Sequence, residues 1–413
     1  MNNSLSNLAL PAIGKPYSSK WASYLSLLLI FALGINLRPF LTAVGPLLTE
    51  IRDSTGLGFQ GASLLTALPV LCMGLFALLL PWLRKWLSEH SWIVVGLSAI
   101  AVGSLWRAFL SSGHALIASA VIAGIGVALV QALMPGLVKR WFPNKMPAAM
   151  GLYSAALMTG GGMAAVLSPR VATAFSSWQT GLGIWVVPAL LALILWLVAR
   201  PLEAGKDKRS NRGRTQHFFG SRRAWLLAVY FGLINGGYTS MVAWLPVYYR
   251  QIGWSSQDSG ELIGLMTIFQ VLAALSIPIL IRKRLDRRPW LILALLLQLV
   301  GLFGLLFAPL VWSGLWVALI GYGLGACFAL SLTLTLEHLK EPHAAGSLAA
   351  FVQGIGFIIT GITPYVTGWL RDISGDFQAS WILLAVTVVL MLVVTLRFAP
   401  AGYAKAMGEH VSP

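Results

Sequence analysis

Gly34-Ile35-Asn36-Leu37-Arg38-Pro39-Phe40-Leu41-Thr42-Ala43-Val44-Gly45-Pro46 lies within an apolar run over residues 22–49. A run of that length spans a hydrocarbon core of about 30 Å, for which about 20 residues suffice. It reads as a membrane helix, with Arg38 as the only formal charge deep inside any span. Continued as a helix, Arg38, Thr42, Gly45 and Thr49 share one face, and Asn36 points elsewhere. Pro39 and Pro46 each lack a backbone donor, so the helix is expected to bend. A charge at mid-membrane costs at least ~2.5–3.5 kcal/mol, so it needs a partner or a wet cavity. An internal salt bridge is the bland explanation, but the nearest acids, Glu50, Glu261 and Glu337, sit at span ends.

The rest of the chain agrees with a membrane protein. Of 413 residues, 57% are hydrophobic and only 10% charged, against about 25% charged in soluble domains. Twelve spans are expected, near 22–49, 59–83, 91–110, 114–138, 147–171, 180–199, 223–249, 258–281, 289–309, 314–337, 344–370 and 378–397. They should be helices, because backbone in lipid must satisfy its own hydrogen bonds. With both termini in the cytoplasm, 23 Lys and Arg fall in cytoplasmic segments and five outside, Arg38 being the remaining one of 29. That asymmetry sets the orientation and explains the net charge of +16 without a nucleic-acid partner. Residues 1–21 form a cytoplasmic tail, 22–199 a first six-helix bundle and 200–222 a basic linker. A second bundle covers 223–397 and a second cytoplasmic tail 398–413. No cleavable signal peptide precedes the first span, which is too long for one. Cys72 and Cys327 lie in apolar runs and read as buried thiols. No metal spacing, cofactor motif or catalytic set is present, so no cofactor and no enzyme are expected.

The two bundles look repeated. Gly124, Gly126 and Pro143 recur as Gly323, Gly325 and Pro342 at an offset of 199. Ala43 and Pro46 recur as Ala243 and Pro246 at 200; Gly151 and Pro169 recur as Gly346 and Pro364 at 195. Under the offset of 200, Tyr238 is the counterpart of Arg38. Two six-helix halves repeated in parallel define the major facilitator fold, an all-α polytopic architecture that binds substrate between the halves near mid-membrane.

Uncharged polar residues also lie mid-span: Gln131, Asn235, Gln270, Gln353, Tyr153 and Tyr238. Each amide could be interhelical glue. Together with Arg38 and Thr42 they make a candidate substrate site with one charge. Gln298 reads as structural, and Gly160-Gly161-Gly162 and Gly321, Gly323, Gly325 as close helix packing rather than phosphate cradles. His338 reads as a solvated histidine at a helix end. Trp21, Trp82, Trp86, Trp92, Trp141, Trp178 and Trp312 read as interfacial anchors.

Several stretches resemble one branch of the major facilitator superfamily, the cyanate transporters. They are Asn36-Leu37-Arg38-Pro39 with Thr42 through Leu48, Leu64 through Pro69, Ser154 through Met158, Tyr230 through Tyr238, Gln353 through Ile359, and Leu396 through Pro400. The resemblance implies a bacterial inner-membrane permease, expected as a monomer in the bilayer, that moves a small anion, cyanate first, by alternating access. It also implies kinship with 2-nitroimidazole exporters, so a small neutral heteroaromatic stacked on Trp244, Phe231 or Phe357 is the alternative cargo. The superfamily's Gly-x-x-x-Asp-Arg-x-Gly-Arg loop pattern is missing at Trp82 through His90, and only Asp286-Arg287-Arg288 remains in the second half. Contacts at the cytoplasmic gate are therefore expected to differ between halves.

Overall fold

Backbone polar groups in lipid must pair internally, and the described residues answer with helices and short helical turns alone. The computed structural model describes residues 20–57, 59–83, 85–199, 218–254, 256–281 and 284–407. Residues 1–19, 200–217 and 408–413, which include most of the first tail, most of the linker and the end of the second tail, lie outside this set. The first pass is broken: α1 (Lys20–Ile35), α2 (Pro39–Thr42), a 3-10 turn (Gly45–Leu47) and α3 (Leu48–Thr55) follow one another. Next come α4 (Phe59–Leu83), α5 (Glu89–Arg107), α6 (Gly113–Trp141) and α7 (Met146–Ala174). The sixth pass is divided into α8 (Trp178–Gly183) and α9 (Val186–Val198). The second half contains α10 (Arg222–Gln251), α11 (Ser256–Leu280), α12 (Arg288–Phe307), α13 (Ser313–Glu337), α14 (Pro342–Ser374) and α15 (Gln378–Thr395). A short α16 (Tyr403–Ala406) follows. Among the described residues ten stretches are long and apolar enough to cross a membrane, and α4 and α5 occupy the second and third positions of the first half.

Glycine contacts show how the halves correspond. A Cβ on Gly34 would meet Tyr153 O and Ala156 Cβ on α7; one on Gly232 would meet Gly356 O and Ile359 Cβ on α14. A Cβ on Gly151 would meet Ala274 O and Pro278 on α11; one on Gly354 would meet Gly74 O and Leu78 on α4. These pairs superimpose only if the offset is 198 for the first and seventh passes, 200 for the second and eighth, and 203 for the fifth and eleventh. The repeat is real, but its register changes from helix to helix. The pairing of Gly151 with Gly346 is replaced by Gly151 with Gly354, and the packing counterpart of Arg38 is Gly236 rather than Tyr238.

The halves meet chiefly toward the end of the bundle where the linker attaches. Gly74 lies against Gly354, and Gly151 against Pro278. At the same end Lys139 of α6 donates to Leu336 O and Leu339 O at the C-terminus of α13, where carbonyls lack helical partners and a cation is favoured. Each half also has an ion pair here. Arg287 bonds Glu337 at 2.6 Å in the second half, and Arg140 bonds Glu89 in the first. A Cβ on Gly126 would meet Gly96 O and Ile100 N, and one on Gly323 would meet Ala294 O and Gln298 N, which sets the offset at 198 for the third and ninth passes and 197 for the fourth and tenth. Glu89 then corresponds to Arg287 and Arg140 to Glu337, so the bridge is kept with its signs exchanged.

His338 is a correction to the solvated reading, being only 2% exposed. Its Nδ1–H donates to Leu334 O at 2.7 Å, and its Nε2 accepts from Arg223 Nε at 3.0 Å. Tyr403 of α16 stacks on the ring at 4.1 Å. Trp178 is likewise buried rather than interfacial, whereas Trp82, Trp86 and Trp312 are exposed at helix ends.

Two outcomes follow from this packing. A Cβ on Gly160 would sit 2.0 Å from Ile35 O, and overpacking of this kind costs about 1–3 kcal/mol or more. Gly160→Ala should lower the thermal midpoint of detergent-purified protein by several degrees; an unchanged midpoint would contradict the contact. Burial pushes the His338 imidazole down to about 4, below its unfolded value of about 6.5. The native state therefore holds it neutral, and its contribution is complete above pH ~6.5 and lost as pH falls toward 4. His338→Gln should flatten the fall in thermal midpoint over that interval, and an identical pH profile would count against the buried neutral ring.

Candidate functional site

The site begins at the gap between α1 and α2. Pro39 has no N–H to give back to Ile35 O, and the chain leaves helical geometry at Arg38, with φ −120° and ψ −25°. The first pass is thus interrupted rather than bent, and Arg38 and Thr49 do not lie on one continuous helix. Side chains supply the partners that the break removes. Asn36 Nδ2 donates to Ala32 O at 2.7 Å and to Pro188 O of α9 at 3.1 Å. Thr42 Oγ1 donates to Gly161 O at 2.8 Å. Arg107 Nη1 donates to Phe40 O at 2.7 Å, and its Nε to Ser119 Oγ at 3.2 Å.

Arg107 was not foreseen. Counted among the five basic residues expected outside the membrane, it is 1% exposed, so Arg38 is not the only arginine buried within the bundle. The signal was present: Ala108-Phe109-Leu110 continue the apolar run past Arg107, and Ser119 follows on the next helix. Its hydrogen bonds give it a structural role at the broken pass.

Arg38 itself is 7% exposed. Its Cζ stands 4.8 Å from the centroid of the Tyr238 ring, a cation–π contact. Its buried Nε has no hydrogen-bond partner, and among the described residues no acidic side chain pairs with it. Arg38, Asn235, Tyr238 and Gln270 line one central cavity together with Met158, Ile234, Leu324 and Phe328. The cavity encloses about 290 Å³ of empty space, spread so thinly that little more than a water molecule fits. Asn235 Nδ2 gives one amide hydrogen to Phe231 O at 2.9 Å and keeps a second.

The other predicted residues are placed differently. Thr42 is tied to Gly161 and sits at the packing seam. Gln131, Tyr153 and Gln353 are fully buried outside this lining. Both amide atoms of Gln131, the Tyr153 hydroxyl and Gln353 Oε1 lack partners. Buried polar atoms left in this way are costly, so their hydrogen bonding is incomplete in this arrangement of the helices. Phe328 and Met158 join the site without having been singled out. Trp244 does not, since its Nε1 donates to Pro364 O at 2.9 Å. Phe231 packs edge-on against Phe357 and beside Phe328, forming an aromatic wall behind the cavity.

Such a site holds a fixed cation and neutral hydrogen-bonding groups between two helix bundles, and comparison with known proteins agrees with this architecture. A family profile described as Major Facilitator Superfamily matches residues 25–361. The chain is 44% identical over 377 residues to the cyanate transport protein CynX of Escherichia coli (strain K12), covering 91% of this chain and 98% of that one. It is 28% identical over 366 residues to the 2-nitroimidazole transporter of the same organism, covering 88% and 92%. In fold it is similar to the proton:xylose symporter XylE, with a TM-score of 0.76 at 13% identity over 92% and 96% of the two chains. This multi-pass chain belongs to the Major Facilitator Superfamily and is a secondary membrane transporter.

Proposed function

We propose that the protein moves a small anion, cyanate first, by alternating access, with Arg38 as the anion anchor. The observation that carries this reading is a guanidinium buried near mid-membrane with an unpartnered Nε and only an aromatic face beside it. At low dielectric a forked cation favours a small anion through charge-assisted hydrogen bonds. Asn235, Gln270 and Tyr238 complete the coordination from the second half. Gln131, Tyr153 and Gln353 engage the anion when the halves rock and the linker end opens. The similarity to a cyanate transport protein supports the choice of cargo. In this reading the linker end faces the cytoplasm of a bacterial inner membrane, an orientation that the distribution of basic residues supports. In that orientation the Lys139 latch closes the cytoplasmic side.

A second reading, export of a small neutral heteroaromatic, is favoured by the Tyr238 and Phe328 rings on the cavity wall and by the 2-nitroimidazole transporter among its relatives. Competition between cyanate and 2-nitroimidazole for purified protein separates the two.

In proteoliposomes, Arg38→Ala should abolish cyanate uptake with protein yield intact. Arg38→Lys should be strongly impaired, because a point charge cannot reproduce the fork. Undiminished uptake by Arg38→Ala would sink the assignment. The acids Glu50 and Glu261 lie near the ends of the first and eighth passes, whereas proton coupling commonly uses a buried carboxylate. Facilitated diffusion or anion exchange is therefore expected, and a proton flux that tracks cyanate flux would overturn that expectation.

A further inference from the structure

A second cavity lies beside the Arg38 site, on the other side of α10. Its space of about 330 Å³ between side chains is, like the first, spread too thinly to hold more than about a water molecule. It is lined by α10, α12, α13 and α15, with Leu233, Gly237, Met241, Leu302 and Val388 making most of an apolar wall and Gln298 and Thr387 as its polar groups. The surface of α10 is divided between the two spaces: Leu233, Gly237 and Met241 face this one, while Ile234, Asn235 and Tyr238 face the anion cavity. Leu324 of α13 lines both. It is buried, and its Cδ2 stands 3.7 Å from where a Cβ on Gly237 would be. Gly237 carries no side chain to close that gap, so one leucine side chain separates a charged compartment from an apolar one.

We propose that Leu324 is the partition that fixes the size of the cargo, and that the apolar cavity behind it receives the ring of an aromatic monoanion once the partition is cut back. This rests on the anion reading of Arg38. The carboxylate of such an anion stays at Arg38 while its ring enters the space between Leu233, Met241 and Val388. A leucine-sized void lined by apolar side chains stays dry and takes up a benzene-sized guest, so the chemistry of the second cavity suits a ring and not a second charge.

The test is cyanate uptake in proteoliposomes with benzoate as competitor. Leu324→Ala should lower the inhibition constant of benzoate, read against that variant's own cyanate uptake, at least about tenfold, the scale expected for apolar groups in a pocket. Leu324→Val should shift it in the same direction by less, and it serves as the readout if the alanine variant does not yield folded protein. Gly237→Val in the Leu324→Ala chain refills the opening and should return benzoate inhibition to the wild-type value. Folded variants that take up cyanate with unchanged benzoate inhibition overturn the partition and leave the anion reading standing. Uptake that is indifferent to Arg38→Ala in the wild-type background overturns the anion reading itself.

Discussion

The structure depends on the contact between Ile35 O and the backbone of α7 at Gly160. A broken helix in lipid exposes carbonyls and amides that water cannot reach, and each must find a partner in the protein. At Gly160 and Gly161 the absence of side chains lets α7 come close enough to cover the break. Asn36, Thr42 and Arg107 then supply hydrogen bonds to individual groups. With those groups satisfied, the chain can hold Arg38 outside helical geometry and aim its guanidinium at the facing bundle, where Tyr238 meets it. The placement of Arg38 in the cavity is thus a product of how a helix interruption is sealed.

The exchanged ion pairs show how a repeat can keep a contact while losing a motif. At the superfamily level the loop between the second and third passes is recognised by a fixed pattern that this chain lacks in its first half. The bridge between the third and fourth passes survives there as Glu89 with Arg140, and in the second half as Arg287 with Glu337. Arg287 is the more deeply enclosed, held also by Ile281 O and Arg284 O. The Coulomb energy of a pair does not depend on which helix carries which sign, so the motif can vanish from the sequence while its tie persists. The two halves differ less at this end than the loop sequences alone suggest.

Much of this was legible beforehand, for physical reasons. Span length and loop charge act over tens of residues and are written along the chain, so the passes could be read directly, and the burial of Arg38 with them. Asn235, Tyr238 and Gln270 stood out as polar groups on mid-span turns and do line the cavity. Register was harder, because glycine matches at offsets of 195 to 200 look alike until the packing partners on neighbouring helices are known. Arg107 and His338 were misread because burial at a helix end depends on what folds over it, here Phe40 and Tyr403. Phe328 and Leu324 carry no chemical mark that separates a cavity wall from ordinary core.

The proposed anion role of Arg38 would make transport depend on voltage through its contact with Tyr238. If Arg38 holds the anion, the loaded centre is formally neutral, and the empty centre keeps a positive charge that the tyrosine ring offsets by only about 0.5–2 kcal/mol. A unit charge feels about 2.3 kcal/mol per 100 mV across the full membrane field, scaled by the fraction of the field it moves through. The membrane potential then acts on the return of the unloaded carrier rather than on the passage of cargo. A cell that is negative inside favours inward displacement of that bare charge, and so biases the side on which the empty site waits.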